Sequence, residues 1–432
     1  MPFTRYGSGG AGVTLSVYLC IVTQMTAIAI ASPRVVRPAT AYVSFLAFGS
    51  FWGTWGASLP GVKDHAHVSD GQLGAALLFV GAGALPALVL VGRAVDRWGT
   101  RTGSVPLSIL GLSGVVVALA ARGSISLALC LLLVGAASGA ADVAMNSAAG
   151  SAQASASRPV ITRAHGCFSL AVVISSLLTG ALRWLGAGLM APFLLVVVAS
   201  LTAAAVLWID ARGVTAQPVP VPDPAPARPI EGTADIEIGG RVRANSSAYW
   251  TLIGVGLLGA LAFAVENAHQ SWGAVFLGDT LNPPAGLTAA APATFAAVAA
   301  AARFGAGWTG RVPPARLLLG GGLVVIVGTL TVAAAPNVTA ALLGLALAAA
   351  GTAVLFPTLL TLVTGGVEES RRGRATSIVS TTAYLGFLLG PVFVGTLAEQ
   401  TSLRWAFAGV AALAVVFSLT APPVAARAAT RI

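Results

Sequence analysis

Residues 92–101 read GRAVDRWGTR, with three arginines and an aspartate set between two apolar runs at 71–91 and 103–121. A hydrocarbon layer of about 30 Å takes about 20 apolar residues in helical form, and each run meets that length. The segment therefore reads as a short connection at a membrane surface between two spanning helices. The same alternation fills the chain. Twelve spans are expected, at 38–59, 71–91, 103–121, 126–149, 161–185, 188–208, 247–272, 287–310, 316–335, 338–364, 374–398 and 402–421.

Composition requires the same answer. The 432 residues are 56% hydrophobic and 9% charged, with mean hydropathy +0.87. Soluble domains carry about 25% charge, so this chain is solvated by lipid. The formal charge of +10 does not gather into one binding face, and nucleic acid is not an expected partner. Lys63 is the single lysine and lies in GVKDHA, away from any glycine-rich phosphate loop. No ATPase site is encoded, and no ATPase subunit is expected. Cys20, Cys130 and Cys167 have neither metal-ligand nor redox spacing and read as small apolar residues. His65 and His67 form an H-x-H with no further ligand cluster, so no metal or cofactor is expected.

Arginine fixes the expected orientation. If the twelve-helix unit begins in the cytoplasm, 20 of the 24 Lys and Arg fall on cytoplasmic loops, ends or tails. Only Lys63, Arg122, Arg183 and Arg404 remain outside, as the positive-inside rule requires of an even helix count. Residues 209–246 break the pattern with a Pro-alternating stretch suited to an extended linker. The expected organisation is an N-terminal extension at 1–37, a six-helix bundle at 38–208, a cytoplasmic linker at 209–246, a second bundle at 247–421 and a cytoplasmic tail at 422–432. The apolar stretch 11–32 is read as part of a mis-called or dispensable start rather than a thirteenth helix or a signal peptide. TWGASLPG (54–61) and SWGAVFLG (271–278) end the first and seventh spans, a faint parallel repeat of the kind transporters use.

GRAVDRWGTR, placed between the second and third spans, resembles the G-x-L-A-D-R-x-G-R-[KR] loop of the major facilitator superfamily. Gly92, Asp96, Arg97, Gly99 and Arg101 match; Val95 and Thr100 depart. The resemblance implies an all-α fold of twelve transmembrane helices in two pseudo-symmetric six-helix bundles. It also implies that Asp96 latches the outward-facing state against a helix of the second half. RAHGCFSL (163–170), SWGAVFL preceded by Glu266, and AYLGFLLGPVFVG (383–395) look like the fucose-permease-like and uncharacterised bacterial inner-membrane branch. That likeness implies a multi-pass protein of the inner membrane that handles a small solute. The acid in an apolar run and the missing nucleotide site point to protons as the driver, and without clustered acids or a nucleophile constellation no enzymatic step is expected. The sugar-symporting pattern carries a carboxylate and, four residues on, an asparagine in helix 4, where this chain has Asp142 and Asn146. Its second carboxylate, before the final proline of helix 1, is missing from FWGTWGASLP.

The candidate path residues follow from helical spacing. Ser138, Asp142 and Asn146 make one polar stripe, with Gly135 and Gly139 allowing close approach. An ionised carboxylate at membrane depth costs about 2.5–3.5 kcal/mol on insertion scales, so Asp142 needs either a function or a partner. It either binds a proton or solute, or pairs with Arg163 or His165 at the start of helix 5. Glu266, His269 and Gln270 share a face near the outer end of helix 7, as an external binding group or a wetted helix end. Trp52 and Trp55 serve as stacking surfaces or interfacial anchors. Tyr384, with Ser380 and Thr381, offers hydroxyls from helix 11.

The leading expectation is a monomeric secondary transporter working by alternating access, proton-coupled, with a sugar-like solute. Drug or metabolite efflux is the competing one, weakened because helix 5 (HGCFSLAVVISSLLTG) lacks the Gly-Pro motif of drug antiporters. A non-transporting sensor or scaffold is the remaining class.

Overall fold

The computed structural model describes residues 36–156, 159–210, 246–284, 286–305, 312–367 and 369–431. The expectations for the N-terminal extension, for Cys20 and for the Pro-rich linker fall outside them. The described residues fold into twelve long helices with no strand among them. These are α1 Pro38–Ala66, α2 Asp70–Trp98, α3 Ser104–Ala120, α4 Ser124–Ser155, α5 Val160–Trp184 and α6 Met190–Asp210. The second set is α7 Ser246–Phe276, α8 Ala290–Gly305, α9 Pro314–Ala333, α10 Val338–Gly366, α11 Glu369–Gln400 and α12 Leu403–Arg431. Eleven are long and apolar enough to cross a membrane; α1 has the length but is less apolar.

Several elements run past their expected ends. Helix α1 continues through Pro60 to Ala66, which puts His65 in its last turn and His67 in a left-handed cap at φ 52°. Helix α12 continues through Pro422 and Pro423, so the expected tail at 422–432 is helical as far as Arg431. Its Ala425 and Ala428 are buried, and that packing holds the extra turns in place. The expected loop 92–101 is mostly not a loop. Residues 92–98 are the last turns of α2, and 100–103 form a 3₁₀ turn. The reversal falls on Gly99 alone, at φ 79°, where a side chain would be strained.

Packing reveals a parallel repeat. In the first six helices α1 packs on α5, α2 on α4 and α3 on α6. In the second six, α7 packs on α11, α8 on α10 and α9 on α12. Adding six to each number converts one set into the other. The seam between the sets obeys the same rule: α2 meets α11, and α5 meets α8. Such parallel repeats are a transporter architecture.

Lipid gives helices no hydrophobic reason to associate, so small residues bring them together. A Cβ on Gly135 of α4 would overlap the Val80 carbonyl oxygen of α2, and one on Gly386 of α11 would overlap that of Ala260 in α7. Polar ties are few. The Asp210 carboxylate, ending α6, accepts from the Arg37 N–H at 2.9 Å and the Thr40 hydroxyl at 2.6 Å, capping the positive end of α1. Arg37 Nε completes the pair at 2.5 Å.

The bundle has two distinct ends. One carries, among the described residues, Arg97 and Arg101, Arg163, Arg316 and Arg372 at helix ends. The other carries Lys63, and there the two halves are sealed. The Lys63 ammonium bonds Asp70 of its own half at 2.5 Å and Asp279 of the other half. The Gly71 N–H donates to Glu399 at the end of α11 at 3.1 Å. Gly74 lies against Pro391 and Gly395 of α11, and Gly180 against Gly286.

Candidate functional site

The seal at the Lys63 end leaves a cavity of about 430 Å³ between the two halves. Helices α1, α2, α4 and α5 line it from the first half, and α7, α8 and α11 from the second. Its position follows from the packing rule, because those helices flank the seam.

Aromatic rings from both halves form a large part of its apolar wall. Phe48, Trp52 and Trp55 come from α1 and Phe168 from α5; Phe295, Tyr384 and Phe387 face them across the seam. Trp55 is buried and stacks on Phe51 at a centroid distance of 6.4 Å and 4° between planes. Trp52 sits edge-on to Phe48 and Phe51. Both tryptophans thus face the cavity. Tyr384 packs with Phe263 and Phe387 on α7 and α11.

Two charged side chains line the cavity, one on each half. Asp142 is on α4, one turn from Ser138, which also faces the space. Asn146 donates to the Asp142 carboxylate at 3.1 Å and to its main-chain carbonyl at 2.9 Å. Among the described residues Asp142 makes no ion pair with Arg, Lys or His. The expected static pairing with Arg163 or His165 is therefore not made. Those two residues are exposed at the start of α5, and the His165 ring packs edge-on to Phe45 at 5.0 Å. Asp142 faces the cavity with an amide as its hydrogen-bonding partner.

Arg303 is the second charge, and its role is not apparent from sequence. Its place near the end of a span lets it pass as one more positive loop residue. In the structure it is in the last turn of α8 and lines the cavity. Its guanidinium donates to Glu266 at 2.9 Å, and Gln270 donates to the same Glu266 oxygen at 3.0 Å. Glu266 is 6% exposed. An intramembrane arginine with a named acid is the signal that could have singled it out.

This geometry corrects the reading of Glu266, His269 and Gln270 as one face at an external mouth. Gln270 reaches the cavity, while Glu266 stands behind it, bound to Arg303. His269 turns away into the second bundle. Its Nδ1 lies 2.7 Å from the Val265 carbonyl and its Nε2 3.1 Å from the Thr329 hydroxyl, with the ring against Phe295 and Phe407. Three residues at i, i+3 and i+4 span enough of the helix circumference to be divided between a cavity and a packing face.

The turn at 92–101 lies apart from the cavity. Asp96 is exposed and makes no ion pair among the described residues. Arg97 lies over the Trp98 ring at 5.6 Å, and Arg101 over Trp208 at 5.9 Å. Gly92 lies inside α2 with open space where a side chain would go. Among the described residues no group of three or more His, Cys, Asp or Glu is placed to hold a metal. Cys130 is buried and Cys167 half-buried, both as free thiols.

The sequence and the fold have counterparts among known proteins. The chain is 26% identical over 400 residues to an uncharacterized MFS-type transporter of Yersinia pestis, covering 90% of this chain and 96% of that one. It is 25% identical over 374 residues to the membrane protein MosC of Rhizobium meliloti, covering 86% of each. Its fold superposes on a bacterial homolog of the human lysosomal transporter Spinster, solved inward-facing and occupied. That TM-score is 0.68 at 18% identity, over 91% of this chain and 96% of that one. The sequence pattern of the Major Facilitator Superfamily matches residues 40–338 and 276–430. Its twelve helices, their repeated pairing and this match together establish that the chain belongs to the Major Facilitator Superfamily.

Proposed function

We propose that this membrane transporter is proton-coupled and works by alternating access, with Asp142 as the group that takes up and releases the proton. The supporting observation is the contrast between two acids held within spanning helices, Glu266 and Asp142. Glu266 is neutralised by Arg303, whereas Asp142 lines the cavity with Asn146 as its hydrogen-bonding partner. A carboxylate so placed at membrane depth is relieved of its desolvation cost by taking a proton. A group that loses that proton on meeting water from the other side couples solute movement to the gradient.

The positive-inside rule places the arginine-rich end in the cytoplasm of a bacterial cell and the Lys63 end outside. In that orientation the sealed seam at Lys63 makes this an inward-facing arrangement, and the six-helix halves rock about the cavity as a monomer. Asp96, Arg97 and Arg101 are exposed here because their partner surface forms in the opposite state. The conformational cycle supplies the coupling, so no ATP is used and no covalent chemistry occurs.

The test is reconstitution of the full chain in proteoliposomes and a panel of neutral, anionic and cationic solutes, with and without a transmembrane pH difference. At least one solute should accumulate against its gradient when the pH difference is imposed and only equilibrate without it. Accumulation that ignores the pH difference for every transported solute would overturn proton coupling.

A further inference from the structure

We infer that the cavity is built for a small organic cation, a protonated or quaternary amine carried on an apolar or aromatic body. The inference rests on the cavity being the transport site and goes beyond it by naming the class of solute.

The charges of the lining come first. Arg303 is balanced by Glu266, and the contact of 2.9 Å between them holds both sides. That leaves Asp142 as the lining charge without a counter-ion among the described residues. The cavity therefore carries one negative charge when Asp142 is ionised, and a cation restores neutrality. An anion would meet Asp142 unprotected and find Arg303 already paired.

The uncharged polar groups come second. A sugar-like solute needs many free hydrogen-bonding partners, because each hydroxyl it buries must be satisfied. The lining is poor in them. Gln270 is committed to Glu266 at 3.0 Å, the Ser271 hydroxyl donates to Asn267 at 3.0 Å, and the Ser169 hydroxyl to the His165 carbonyl at 3.2 Å. Three polar lining side chains are thus already bonded, so the expected sugar-like solute finds few partners beyond Ser138, Asn267 and Tyr384.

The walls come third. Trp52, Trp55, Phe168, Phe295, Phe387 and Tyr384 surround the space from both halves. Aromatic faces attract cations through their quadrupole, most strongly where water is excluded, and cages of them recognise quaternary ammonium groups. A volume of about 430 Å³ is within the usual range of about 300–1,000 Å³ for small-ligand sites.

The probe is tritiated benzyltrimethylammonium, which cannot lose its charge, measured at equilibrium on the full chain in nanodiscs with no gradient. Saturable binding is expected, displaced by unlabelled benzyltrimethylammonium and not by phenylacetate or fucose. Asp142→Asn should weaken it about tenfold or more, as loss of a charge-assisted contact does, and Asp142→Glu should restore most of it. Absence of saturable binding, equal binding by Asp142→Asn, or displacement by phenylacetate or fucose would each overturn the inference. Should Asp142→Asn fail to elute as a folded species, carbodiimide labelling of Asp142 in the unaltered protein replaces it. The amine should protect Asp142, and unchanged labelling would overturn the inference. Because no gradient is used, failure here leaves proton coupling standing, and gradient-independent transport would leave cation recognition standing.

Discussion

Lys63 closes the seam between the two halves by bonding Asp279 of the second while holding Asp70 of the first at 2.5 Å. Its side chain is only 15% exposed, so water screens the pair weakly. In the proposed alternating-access cycle, a single ammonium shared between two carboxylates on different bundles is a contact made in one state and lost in the other. Lys63→Ala should therefore shift the protein towards a state open at this end, by about fivefold or more in population. Double electron–electron resonance between labels at Asp64 and Pro284 measures it. The variant should show a longer-distance population, and an unchanged distribution would remove Lys63 from the closure.

Glu266 and Arg303 make a similar argument about stability. Breaking a fully buried ion pair costs about 3–5 kcal/mol, because a charge is left without its partner. The Arg303 side chain is 48% exposed to the cavity, which reduces that figure. Glu266→Gln should cost about 1–3 kcal/mol, read as a fall in Tm of several degrees in detergent. The double variant Glu266→Gln with Arg303→Met should recover most of the loss, since replacing both charges is often neutral. A strictly additive double variant would show that the pair does not act as a unit.

Two glycines of the same turn should respond in opposite ways. Gly92 lies inside α2 with nothing near its missing side chain, so Gly92→Ala should be neutral or stabilise by up to about 0.5–1 kcal/mol. Gly99 makes the reversal at φ 79°, and Gly99→Ala should cost about 1–2 kcal/mol. Thermal unfolding of the two variants side by side decides it. Equal effects would mean that the turn geometry is not what selects glycine at position 99.

The helices were legible because lipid writes them plainly: long apolar runs, broken by arginine and proline. Where they end was less legible. Pro60 and Pro422 look like stops, yet α1 and α12 run on past them, their later turns packed on neighbouring helices. In the site, Asp142 and Asn146 were visible as a polar stripe because i and i+4 positions share a helix face. Arg303 was hidden among positive-inside arginines, since nothing local separates a loop cation from a cavity one. His269 was misplaced because spacing along a helix does not say which side faces a neighbouring helix. Only the approach of α9, bringing Thr329 to 3.1 Å, decides that.

The central claim is that Asp142 couples the proton to the solute. The direct measurement compares Asp142→Asn with the unaltered protein in the same proteoliposomes, once for pH-driven accumulation and once for solute exchange at equal pH. The account predicts that the variant loses pH-driven accumulation by about 100-fold or more while equal-pH exchange persists, because an amide cannot carry the proton. Full pH-driven accumulation by Asp142→Asn would contradict it.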